Sequence, residues 1–404
     1  MPADVESPTG AQRGPAPALA RATAAVSAIR ERNLHRIGHW VPFTRIGASA
    51  WPPPGRPLSK QRLTASWNYW WQAHLLDLLV DAALLGDERA AGEANALVRG
   101  IKIRNTGRWT NAYYDDMAWL ALAVERCDRH LNGPGHARGQ RILTDVLYAA
   151  WAPDHGGGIP WRTTDHFFNV PANGPAGIFL ARRGRVERAV ATADWINETM
   201  LLPSGLIADG FWVESDGSRR YINAMYTYCQ GVALGLYLEC FGLTREPRHL
   251  ERLEALLGVV EQRCTTNGVV IGAGGGDGGL FAGILVRNLA LIVTDLPTPH
   301  TVAERRHFRA LSARARAIVL ASAESAWAHR AEYNGLPVFG ADWSSPAAVP
   351  TTDGEASAFI GGAVRSSSSP ERDLSVQISG AMAMTAAALI TLRSPEDTGT
   401  VTPG

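Results

Sequence analysis

Lysine is almost missing from this chain. Only Lys60 and Lys102 are lysine among 39 basic residues, and 38 acidic residues bring the formal net charge to +1. So close a balance provides no long-range field for capturing nucleic acid or an anionic membrane. Together with abundant alanine, the arginine bias reads as GC-rich bacterial coding rather than a binding chemistry. Cysteine is sparse too, at Cys127, Cys229, Cys240 and Cys264. With no Cys-x-x-Cys pair and no histidine at zinc-finger spacing, a structural zinc site is not expected; four cysteines are too few for a disulfide scaffold, and reduced, mostly buried thiols are expected. No run of about eighteen apolar residues is evident, so no membrane span is expected. Residues 1–10 lack a basic cluster followed by an apolar stretch, which makes a cytoplasmic location the default expectation. Strand patterning is scarce as well. The candidates are Leu206–Ile207, Phe211–Val213 and Val269–Ile271, and without regular strand–helix alternation a parallel α/β fold is disfavoured.

What is present is helical periodicity. Between Thr64 and Gly86, the residues Trp67, Trp71, His74, Leu75, Leu78, Ala82 and Leu85 recur at steps of three and four and define one apolar face. Similar stretches run near 16–32, 88–105, 112–128, 135–152, 171–183, 185–201, 223–243, 246–264, 278–296, 301–328 and 372–394. About twelve helices joined by short or glycine-rich loops predict an all-α fold, the (α/α)6 barrel of alternating inner and outer helices, with its few short strands in loops. An open α-solenoid is the alternative, but no fixed-period repeat supports it. The 404 residues are read as one catalytic domain over 16–394, with a long surface loop at 344–371 and Pro/Ser/Thr/Gly-rich tails at 1–15 and 395–404. A monomer is the default.

Tryptophan is in surplus, with 13 against 9 tyrosines and 10 phenylalanines. The indole N–H needs a partner when buried, so surplus Trp often lines clefts that are half apolar and half polar, as sugar sites are.

The sharpest local feature is Asn111-Ala-Tyr-Tyr-Asp-Asp-Met-Ala-Trp-Leu. Asn111 is placed to cap a helix, with Asp115 and Asp116 just inside it. Acids at a helix start commonly complement the dipole and stay solvated. Here large apolar groups flank the pair on both sides, so neither carboxylate is expected to face open water. Like charges crowded together with partial desolvation push one pKa up, while hydrogen bonds keep the other group ionised. A proton donor beside a nucleophile or base is what glycoside hydrolysis requires. Adjacency favours the shorter carboxyl separation, and hence retention of configuration.

Tyr113-Tyr114-Asp115-Asp116-Met117-Ala118-Trp119 resembles the Asp-Asp motif of glycoside hydrolase family 76, the bacterial and fungal endo-α-1,6-mannanases. Five further segments match in the same order. Gly156-Gly157-Gly158-Ile159-Pro160-Trp161-Arg162 resembles the family's Gly-Gly-Ile-x-Trp, and Asn169 with Asn173 its paired asparagines. Leu206-Ile207-Ala208-Asp209-Gly210 is similar to an Asp-Gly turn, and Thr227-Tyr228-Cys229-Gln230-Gly231 to Thr-Tyr-Asn-Gln-Gly. Gly279-Leu280-Phe281-Ala282-Gly283-Ile284-Leu285-Val286-Arg287 resembles a late glycine-rich helix start. The similarity covers roughly residues 60–296. It implies an (α/α)6 fold and cleavage of α-1,6-mannosidic bonds in mannan or a mannose-containing lipoglycan. It further implies Asp115 as nucleophile, Asp116 as general acid/base, and no cofactor. Tyr114, Trp161, Arg162, Asn169, Asn173, Asp209, Tyr226, Gln230, Phe281 and Arg287 become candidate substrate-binding residues. The departures, Phe168, Cys229 and Ala282 where the family has Lys, Asn and Lys, lie in substrate-facing motifs and bear on which mannan is taken.

Blander roles compete at several of these positions. Asn169 or Asn173 can serve as a helix cap, Asp209 as an Asx-turn, and Arg287 as a structural ion pair. A non-catalytic glycan-binding barrel is an alternative for the whole chain. So is a nucleotide-dependent oxidoreductase, because Gly274 to Gly279 satisfies G-x-G-x-x-G between Val269-Val270-Ile271 and a helix; that reading lacks the parallel strands it needs. His35 and His39 have metal-ligand spacing on an expected helix but no third ligand at a motif position.

Overall fold

The computed structural model describes residues 15–54, 67–222 and 224–392. Residues 1–14 of the expected tail 1–15, the tail 395–404 and the helix start at Thr64 lie outside the described residues, while Pro15 already belongs to a helix. Twelve α-helices are found among the described residues: α1 Pro15–Arg32, α2 Tyr69–Leu84, α3 Ala90–Arg104, α4 Tyr114–His130, α5 Ala137–Ala149, α6 Val170–Arg182, α7 Val186–Met200, α8 Thr227–Thr244, α9 Pro247–Arg263, α10 Phe281–Thr294, α11 Val302–Ala328 and α12 Leu374–Leu392.

The even-numbered helices form the inner ring. Each packs on the next, and α12 returns to α2 to close it. The odd-numbered helices lie outside: α3 on α2, α5 on α4, α7 on α6, α9 on α8, α11 on α10, and α1 on α12. This is the (α/α)6 barrel, and sequence decides which helix goes where. Helix α8 is buried without a break from Tyr228 to Leu238, and α12 from Leu374 to Ala388. A helix apolar all round needs neighbours on every side. Outer helix α9 buries little more than the stripe Leu250, Leu253, Leu256, Leu257 and Val260. Two segments, Gly276–Thr294 and Leu374–Leu392, are long and apolar enough to cross a membrane, contrary to the first expectation from composition. They are 72% and 89% buried inside the ring, where their apolarity is used.

One fastening recurs around the ring. The fourth residue of α2, α6, α8 and α12 is Gln72, Asn173, Gln230 and Gln377 respectively. In each, the side-chain amide accepts from and donates to the backbone of a single residue outside the helices. Gln72 grips Gly47 at 2.7 and 2.9 Å, and Asn173 grips Ile159 at 2.7 and 2.8 Å. Gln230 grips Ile207 at 2.8 Å on both sides, and Gln377 grips Phe339 at 3.1 and 2.9 Å. Each clamp satisfies the N–H and C=O of one residue with a single side-chain amide.

Below the middle of the ring two arginines and two aspartates form a closed square. Arg126 from α4 and Arg287 from α10 each bridge Asp77 and Asp81 of α2. Thr385 of α12 adds a hydroxyl to Asp81 at 3.4 Å. The arginines hold the Asp77 carboxyl down to about 2 against the opposing effect of burial. Arg287 is thus a structural cation deep in the barrel.

Strands among the described residues are short and antiparallel throughout. The largest sheet joins Phe167–Asn169, Gly210–Val213 and Arg219–Ile222, with Phe168 opposite Phe211 and Phe211 opposite Tyr221. The stretch 344–371 is more than a surface loop, because Ala358–Ile360 pairs with Ala363–Arg365 in a hairpin turned by Gly361 and Gly362. His35 lies in a two-residue strand and His39 in a 3-10 turn rather than on one α-helix. The four cysteines are free and buried.

Candidate active site

The N-terminal ends of the inner helices meet at one mouth of the barrel, around a cleft of about 840 Å³. Its wall takes Tyr69 and Trp70 from α2, Asp115 and Asp116 from α4, Asn169 before α6, Tyr226 and Tyr228 at α8, and Phe281 at α10. Helix N-termini carry partial positive charge, so a ring of them favours an anion at the cleft floor.

Asp115 and Asp116 sit in the first turn of α4 and are anchored differently. Trp161 Nε1 donates to Asp115 Oδ2 at 2.9 Å, and the Asp116 N–H donates to Asp115 Oδ1 at 2.8 Å. Asp116 Oδ2 accepts from Asn111 Nδ2 at 2.5 Å. Asn111 also takes the Tyr113 N–H at 2.9 Å, so it shapes the turn as well as holding the acid. Burial pushes the Asp115 carboxyl up to about 7, with donors from Asp116 and Trp161 opposing and the Asp277 charge adding. Asp116 is raised well above the usual range by burial and by the Asp115 charge beside it. Both carboxyls are thus raised by burial, and Asp115 holds two donors, the indole and the Asp116 N–H, that favour its ionised form.

A third carboxylate, unforeseen in the sequence, faces the pair. Asp277 Oδ1 accepts from the indoles of Trp70 and Trp71 at 2.9 and 3.0 Å. Its Oδ2 accepts from the Val364 N–H of the hairpin at 2.7 Å. Burial raises it to about 6. The glycine run around it explains its own composition. A Cβ on Gly276, whose φ is +60°, would lie 2.2 Å from Val364 O. The G-x-G-x-x-G run is a seat for the hairpin, and no parallel sheet stands before it among the described residues. An acid inside a glycine run at the start of an apolar helix was the available signal.

Of the other candidates, Trp161, Asn169, Asp209, Tyr226 and Phe281 line the cleft. Asp209 is raised to about 6 by burial and sits 3.5 Å from the Tyr228 hydroxyl. Asn169 also caps α6, accepting from the Ala172 N–H at 3.2 Å. Phe281 stacks face to face on Tyr228, with centroids 3.9 Å apart. Asn173 and Gln230 are placed differently, since their amides are engaged by the loop clamps. Arg287 belongs to the ion square. Tyr114 packs against the core while Tyr113 takes the place in the cleft wall. Arg162 pairs with Asp165 at 2.5 Å and lies over the Trp161 and Tyr113 rings at 4.5 and 5.6 Å, bracing them. Phe168, Cys229 and Ala282 are buried outside the cleft wall, and of these Cys229 reaches Asp209, at 3.7 Å.

Cys127, Asp128 and His136 have metal-ligand spacing. Asp128 is already engaged by the His136 N–H, His136 Nδ1 and Gln140 Nε2 at 2.7, 2.6 and 2.5 Å. Burial pushes the Cys127 thiol up to about 12, so the cluster ties the turn between α4 and α5.

A helical toroid with paired buried acids in an aromatic cleft has the make-up of a glycoside hydrolase. The family comparison agrees: the chain matches the model of glycosyl hydrolase family 76 over residues 54–357 and belongs to that family. A solved α-1,6-mannanase of Salegentibacter is similar at 26% identity and TM-score 0.74, covering 92% of this chain and 99% of that one. The same enzyme, inactivated by two neighbouring Asp→Asn substitutions and bound to α-1,6-mannotriose, is similar at TM-score 0.73, with the same identity and coverage. Dfg5 of Chaetomium thermophilum, in complex with glucosamine, shares the fold at 17% identity and TM-score 0.69, covering 94% of this chain and 91% of that one. Among curated proteins, none matches at a significant level.

Proposed function

We propose that this chain is a retaining endo-α-1,6-mannanase acting on mannan or a mannose-containing lipoglycan. The observation that carries the reading is the unequal setting of two adjacent buried carboxylates. Asp115, held by an indole and a backbone donor, ionises first; Asp116 retains its proton. Asp116 then protonates the glycosidic oxygen while the Asp115 carboxylate attacks the anomeric carbon, so the C–O bond breaks as a mannosyl ester forms. Asp116, now ionised, takes a proton from water, whose oxygen displaces Asp115 and releases the sugar with its configuration retained. Neighbouring positions in one helical turn favour the short carboxyl separation of retaining enzymes, about 5–5.5 Å. The similarity to mannanase structures, one of them with mannotriose bound, supports the choice of substrate.

The test is incubation with linear α-1,6-mannan, followed by sizing of the products. A ladder of oligosaccharides is expected, with Asp115→Asn and Asp116→Asn each losing most of the rate while still binding mannotriose. Intact polymer after prolonged incubation refutes the reading, and full activity in either variant refutes the assigned roles.

A further inference from the structure

Five aromatic rings form an unbroken row beside the acids. Phe359 and Tyr113 have centroids 6.3 Å apart, Tyr113 and Trp161 5.5 Å, Trp161 and Phe167 5.9 Å, and Phe167 and Trp212 5.0 Å. Trp161, at the middle, is the ring whose N–H holds Asp115. Phe359, at one end, lies in the hairpin Ala358–Arg365, outside the residues matched to the family. It lines the cleft and yet is 59% exposed.

That exposure is not the result of a loose hairpin. Val364 is bonded to Asp277, Gly276 lies beneath its carbonyl, and a Cβ on Gly362 would come within 2.7 Å of the Trp161 ring. Two glycines and a buried carboxylate thus fasten the hairpin over the cleft and leave one large apolar ring uncovered at its mouth. The ring meets Tyr113 edge-on and leaves most of its surface open at the cleft mouth, where a ligand can reach it. The C–H face of a pyranose suits it, because those hydrogens meet the electron-rich face of the ring.

We propose that Phe359 is the platform of a distal glycan subsite, two ring positions from the carboxylate pair, which stacks a mannosyl unit and makes efficiency depend on chain length. This rests on the mannanase reading above.

The experiment compares kcat/KM on α-1,6-mannotriose and α-1,6-mannohexaose for wild type, Phe359→Ala, Phe359→Trp and Ile360→Ala. Calorimetric binding of both sugars to the Asp115→Asn/Asp116→Asn enzyme, with and without Phe359→Ala, accompanies it. In Phe359→Ala the hexaose-to-triose ratio is expected to fall about tenfold, and hexaose binding to weaken about as much. Phe359→Trp and Ile360→Ala are expected to keep the wild-type ratio. An unchanged ratio in Phe359→Ala overturns the subsite. An equal loss on both sugars also overturns it, since the hairpin would then act through Trp161. Wild type that cuts neither sugar refutes the mannanase reading itself, a result distinct from either.

Discussion

Replacing Trp161 with phenylalanine keeps a ring in the cleft wall and removes one N–H. That N–H, 2.9 Å away, stabilises the ionised form of Asp115 more than the neutral one. A hydrogen bond to a charged group contributes about 1.5–3 kcal/mol, equivalent to about one to two pH units. Water entering the vacated space restores part of this, so a rise of about one unit is expected. The carboxyl of Asp115 stands at about 7, and in the proposed mechanism its charged form is the attacking one. The acid limb of kcat/KM must therefore move to higher pH, and below the original limb Trp161→Phe loses about tenfold beyond any change in sugar stacking. The assay is a pH profile on an aryl mannotrioside, whose good leaving group needs little help from Asp116. A limb that stays in place, or moves to lower pH, refutes the assignment of the indole as the group that sets Asp115.

Two further predictions follow from the same geometry. Asp277→Asn removes a negative charge that raises Asp115, so its acid limb should shift to lower pH, opposite to Trp161→Phe; a shift in the same direction would rule out the charge effect. Arg287→Met breaks the ion square and leaves Asp77 and Asp81 sharing one arginine, which should cost about 3–5 kcal/mol in denaturant unfolding with KM on mannan oligosaccharides unchanged. A raised KM with unaltered stability would make Arg287 a sugar ligand instead.

The toroid is legible in the sequence because its helices are long and strongly patterned. Apolarity all round in α8 and α12 marks the inner ring, and single stripes such as that of α9 mark the outer one. The acid pair is legible because Asn111, Asp115 and Asp116 lie within one local segment whose apolar neighbours imply burial. Direction is harder to read. Asn173 and Gln230 are polar residues in the first turns of inner helices, and spacing does not reveal that they face a loop backbone rather than a ligand. Arg287 looks the same from sequence whether it meets a sugar or two aspartates. Asp277 was hidden because its partner Val364 is 87 residues away. The hairpin is hard to read because each strand has only three residues, although Gly361-Gly362 between two short apolar runs is a hairpin signal.

The clamps at the fourth position of α2, α6, α8 and α12 hold peptide groups, not side chains. The residues they seize, Gly47, Ile159, Ile207 and Phe339, share no common chemistry. Mutations can thus accumulate in those connecting segments without releasing their grip, and a new ligand preference can be written into the rim while the wheel beneath stays intact. The matching place in α4 is Met117, next to Asp116, and the helix that bears the paired acids is left without this tether.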